Sequence, residues 1–118
     1  MNFAKARPRR IPGSMNNTEK RYAEHLHARK LTGEIKSFGF ESIKLKLADN
    51  TFYTPDFFVI TKDSLIEFHE IKGSWKAPHQ DDAKVKIKVA AELHFWAKFI
   101  SAEVIAAKRG GGWKFTDF

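Results

Sequence analysis

The chain has no cysteine. That excludes disulfide frameworks and cysteine-based zinc sites. It also lacks any apolar run approaching the roughly 18 residues that a membrane-spanning helix needs. The N-terminal stretch carries basic residues but no apolar core segment, so it does not read as a secretory signal. Acidic residues are in short supply too: 14 Asp and Glu face 21 Lys and Arg, giving a net charge of +7 and a pI near 9.7. A balance of that sign suits a polyanionic partner such as nucleic acid. An intracellular, cytoplasmic address is the expectation.

What is present is a globular composition. Hydrophobic residues make up 42% of the chain and include eleven Phe. A length of 118 residues fits a single domain. Residues 1–14 carry Lys5, Arg7, Arg9 and Arg10 with two prolines and no acid. They read as a flexible basic arm, or as a solvated tail without a role, ahead of one domain over 15–118.

Asn16 to Lys30 reads as the first helix. Asn16 can cap it, and Glu19 three residues on can complete a capping box. Glu19, Tyr22, Ala23 and Leu26 recur at helical spacing, so Glu19 heads the buried stripe. Residues 35–47 alternate apolar and polar positions, as one half-buried strand or two with a break near Gly39. Asp49-Asn50 marks a turn. Phe52 to Ile60 and Leu65 to Lys72 read as the next two strands. Residues 80–96 form a second helix, opened by Asp81 or Asp82. Val85, Val89, Leu93 and Trp96 lie on one face of it, with Ile87, Ala91 and Phe95 roughly opposite. A helix apolar on two sides needs two partners, the sheet and either the first helix or a second subunit. Two strands, 98–107 and 113–115, surround Gly110-Gly111-Gly112, which reads as a hairpin turn and not as a phosphate loop. The expected class is α/β (α+β), a mixed sheet flanked by helices in the order αβββαββ.

The chemistry concentrates in Pro55-Asp56 and Glu70-Ile71-Lys72. Alternation puts Glu70 and Lys72 on one face of their strand and His69 on the other. If Ile60 pairs with Ile66, Phe58 meets Phe68, Asp56 meets Glu70 and Thr54 meets Lys72. Two carboxylates that close repel unless a cation lies between them, and their hard oxygens suit Mg2+ or Mn2+. Asp56 and Glu70 are then metal ligands, Lys72 a cation facing the reacting phosphate, and Glu19 a third carboxylate from the first helix. Each of these residues taken singly also fits a plain role: a solvated strand end, an ion pair or a helix cap. Lys84 and Lys88 flank the second helix and can meet phosphates or simply line a solvated edge. Trp75 suits packing better than base stacking, and no histidine is assigned a catalytic role.

Pro55-Asp56 with Glu70-Ile71-Lys72 resembles the PD-(D/E)XK nuclease superfamily. Tyr53-Thr54-Pro55-Asp56-Phe57-Phe58, Glu70-Ile71-Lys72-Gly73-Ser74-Trp75 and Asp81-Asp82-Ala83-Lys84 are similar to the phage endonuclease I-like Holliday-junction resolvases. They are similar also to short phage and prophage proteins that share the Met15-Asn16-Asn17-Thr18-Glu19 start. The resemblance spans about residues 15–100. It implies a restriction-endonuclease-like core, Mg2+-dependent cleavage of DNA, and a homodimer acting on branched substrates. It matches Glu19, Asp56, Glu70 and Lys72 to active-site residues and the Ile71 backbone carbonyl to a further metal ligand. Arg7, Arg9, Arg10, Lys76, Lys84 and Lys88 are the expected DNA contacts. The shorter length and different C-terminal tail depart from the resolvase group. A sequence- or mismatch-specific nuclease, or a non-catalytic DNA-binding protein on the same scaffold, are the alternatives.

Overall fold

The computed structural model describes residues 13–73 and 80–118. Most of the basic arm, with Arg7, Arg9 and Arg10, lies outside the described residues, as do Trp75 and Lys76. Helix α1 covers Asn17–Leu31. Strands β1 (Ile35–Phe40), β2 (Leu45–Ala48), β3 (Thr51–Tyr53), β4 (Phe57–Thr61) and β5 (Ile66–Lys72) follow. Helix α2 (Gln80–Leu93), β6 (Lys98–Val104), a short 3-10 turn at Ala107–Arg109 and β7 (Trp113–Asp117) complete the chain.

The class is α+β, with a mixed sheet flanked by helices. Five strands lie in the order β1-β4-β5-β6-β7, and β2-β3 form a separate two-stranded sheet. All pairings are antiparallel except β5 with β6. Parallel neighbours cannot be joined by a tight turn, and the crossover here carries α2.

Local sequence explains several boundaries. The Asn16 side chain accepts from the Glu19 backbone N–H, and Glu19 Oε1 accepts from the Asn16 N–H, which is a reciprocal capping box. Asn50, at φ 55, turns β2 into β3. Gly110, Gly111 and Gly112 all adopt positive φ and return β6 into β7, as the glycine run predicts.

The strand count exceeds the expected three before α2. Residues 52–60 do not run as one strand: β3 ends at Tyr53 and β4 begins at Phe57. Pro55 has no N–H to give a ladder, and the Asp56 side chain turns to the Ile71 N–H instead. Upstream, the break falls at residues 41–44 and not at Gly39, which stays within β1.

Alternation along the strands builds two cores on opposite faces. Tyr22 and Leu26 of α1 pack with Ile35, Phe57, Val59, Ile71 and Ala102. On the other face, Ile87 and Ala90 of α2 pack with Phe68, Phe99, and Leu45 and Tyr53 of the small hairpin. Fully burying a side chain such as Phe57 or Phe68 stabilises the fold by about 1.5–3 kcal/mol. Among the described residues, no helix is long and apolar enough to cross a membrane.

Candidate active site

The β4–β5 register is the one expected: Ile60 pairs with Ile66 and Phe58 with Phe68. The ladder stops at Phe57 with His69. Asp56 and Thr54 lie beyond its end, so the opposition of Asp56 to Glu70 and of Thr54 to Lys72 is not a ladder pairing. Asp56 Oδ2 accepts from the Ile71 N–H at 2.8 Å, and this bond fixes the carboxylate at the mouth of the sheet.

Glu70 is buried on the α2 face of β5. Its Oε1 accepts from the Tyr53 hydroxyl at 2.9 Å, and its Oε2 pairs with Lys72 Nζ at 3.2 Å. Burial and the Glu70 charge push the Tyr53 pKa upward, so Tyr53 stays protonated and donates. Burial, followed by the charge of Glu70, pushes Asp56 up to about 8. The Ile71 N–H opposes that shift, Glu19 adds to it and Lys72 offsets part of it. The charges of Glu19, Glu70 and Lys72 are thus all felt at Asp56.

Carboxylate oxygens of Glu19, Glu41 and Asp56 all lie within 4.8 Å of one another. Glu19 comes from α1, where it closes the capping box. Glu41 lies just past β1, and its N–H donates to the Asp56 carbonyl at 2.8 Å. Its φ of 49 is a left-handed conformation that non-glycine residues avoid. Three acids that close fit a hard divalent cation, because each offers an oxygen and their mutual repulsion is relieved by positive charge. Glu70 is not one of this trio, and its oxygens are turned to Tyr53 and Lys72.

Glu41 and Tyr53 were not among the expected site residues. Nothing in the local pattern marks Glu41, since its place depends on a positive φ that the sequence does not announce. Tyr53 carried a signal, being two residues before Pro55, but its partner is set by the separate hairpin.

His69 faces the other core, as alternation predicts. It is buried with Nδ1 on the Tyr22 hydroxyl and Nε2 on Glu67 Oε1 at 2.9 Å. The His69 contact holds Glu67 below the usual carboxylate range. Of the helix lysines, Lys84 is half-buried and Lys88 exposed. No protein-family model matches the chain, and no curated protein matches it.

Proposed function

We propose that this chain is a Mg2+- or Mn2+-dependent endodeoxyribonuclease of the PD-(D/E)XK type, acting on branched DNA. One observation carries the reading: Asp56 sits between an acidic trio with Glu19 and Glu41 and the charges of Glu70 and Lys72, at one end of the central strands. Glu19, Glu41 and Asp56 would hold the ion, with Glu70 and the Ile71 carbonyl as the further ligands that the sequence resemblance implies. When bound, a divalent ion polarises the scissile phosphate and lowers the pKa of a coordinated water.

The chain's own groups divide the remaining work. Lys72 is a compact cation beside Glu70, suited to offset charge that develops on the phosphate. Tyr53 orients Glu70, and the Ile71 N–H orients Asp56. The net charge of +7, with Lys84 and Lys88 on α2, favours a nucleic-acid partner. The same resemblance supports a homodimer, and an origin in a phage or prophage working in the bacterial cytoplasm.

The test is a cleavage panel of four-way junction, flap, mismatch and plain duplex DNA, with and without Mg2+. Junction cleavage is expected in Mg2+, and Asp56→Ala, Glu70→Ala and Lys72→Ala should each abolish it while sparing DNA binding. Failure to cut any substrate in either metal, or normal cutting by all three variants, overturns the assignment.

A further inference from the structure

Helix α2 is apolar on two sides, and among the described residues only one is covered. Ile87 and Ala90 are fully buried against the sheet. Val85, Val89 and Leu93 recur at helical spacing on the other side and are 59, 38 and 50% exposed. Helix α1 does not cover them, because it packs on the opposite face of the sheet. A continuous apolar stripe of this kind marks an interaction surface.

The charges beside the stripe indicate what covers it. Lys88 and Glu92 lie one turn apart on the same flank, and both are exposed. In an antiparallel helix pair related by a two-fold axis, like flanks face each other. With the axis level with Ala90, Lys88 of each copy stands opposite Glu92 of the other. A partner of uniform charge would leave either Lys88 or Glu92 unmatched, whereas a second copy of this chain matches both.

We propose that the outer face of α2 is a self-complementary dimer surface, with Val85, Val89 and Leu93 inside and two Lys88–Glu92 pairs at its rim. The 14 residues of α2 make a contact about 21 Å long at 1.5 Å per residue. One helix per copy makes a small contact beside the roughly 800 Å2 per partner of a standard interface, so a weak, reversible association is expected. The proposal deepens the homodimer part of the function above and rests on that part alone.

Sedimentation velocity from micromolar to millimolar protein, with neither DNA nor metal present, separates it from the nuclease reading. The chain is expected to dimerise across that range. Val89→Glu should weaken dimerisation by about tenfold or more, the size of a central interface loss. Its melting temperature should stay near that of the parent, because Val89 is exposed. Lys88→Glu and Glu92→Lys should each weaken the dimer, and the double exchange should restore it. A chain monomeric throughout, a dimer indifferent to Val89→Glu, or a double exchange that fails to restore association overturns the proposal. If Val89→Glu fails to fold, the Lys88 and Glu92 exchange decides alone. A protein that dimerises in this way yet cuts no DNA would retain the surface and lose the enzyme.

Discussion

The Tyr53 hydroxyl donates to Glu70 Oε1 at 2.9 Å, joining the small hairpin to the central strand of the large sheet. Lys72 takes the other oxygen, so both sides of the Glu70 carboxylate are held. Tyr53→Phe removes the donor and leaves a buried carboxylate oxygen short of a partner, at a cost of about 1–3 kcal/mol. The variant should melt lower and cut DNA roughly tenfold more slowly, in proportion to the lost orientation of Glu70. Thermal melts and single-turnover cleavage check both parts, and an unchanged rate would make the tyrosine structural only.

Asp56 gives the protein a pH dependence of definite sign. Its pKa is pushed up to about 8, so between the ordinary carboxylate range and that value the folded chain holds a proton that the unfolded chain has released. Stability from this group therefore falls as pH rises through the window. Asp56→Asn keeps the acceptor for Ile71 and removes the titration. Relative to the parent it should gain at least about 1 kcal/mol on going from about pH 5 to about pH 8. Melting at the two pH values measures this, and an equal difference at both would place the titration elsewhere.

A divalent ion should reverse the cost of the clustered acids. Mn2+ at a hundredfold excess over its dissociation constant stabilises the folded chain by about 2.7 kcal/mol. The rise in melting temperature should vanish in Asp56→Asn and persist in Lys72→Ala. A parent protein whose melt ignores Mn2+ and Mg2+ would remove the ion from the site.

Glu41 separates stability from activity. Its left-handed backbone costs roughly 1–2 kcal/mol in a non-glycine residue. Glu41→Gly relieves that backbone strain, so by denaturant titration it should be more stable than Glu41→Gln, which keeps it. The same change deletes a carboxylate from the trio, so cleavage should fall sharply. Glu41→Gln keeps the backbone strain while losing the charge, and it should be equally impaired in cleavage without the gain in stability.

Features fixed by neighbours in the chain were legible in the sequence. The Asn16–Glu19 capping box spans three residues, and both halves could be read directly. The Ile60–Ile66 and Phe58–Phe68 pairs follow from alternation and a short turn, and the glycine run before Trp113 had one sensible use. Features fixed across the fold were not legible. The interruption at residues 54–56 arises because the Asp56 side chain finds the Ile71 N–H in three dimensions. Tyr53 meets Glu70 only because β2 and β3 leave the main sheet. Glu41 reaches the acidic trio through a conformation its residue type disfavours. Periodicity showed that α2 is apolar on two sides, but only the placement of α1 on the far face shows which side stays open.

Strand β5 has two strands on each side in the order of the sheet, and it carries Glu70, Ile71 and Lys72. Fraying that begins at β1 or β7 reaches it last. Amide hydrogens along β5 should therefore exchange with deuterated solvent only when the whole domain opens, and the Ile71 amide has the Asp56 carboxylate as an added latch. The floor of the site then behaves as an anvil. Under the proposed function, what yields to a substrate among the described residues is the first turn of α1, the bend at Glu41 or the Tyr53 hairpin.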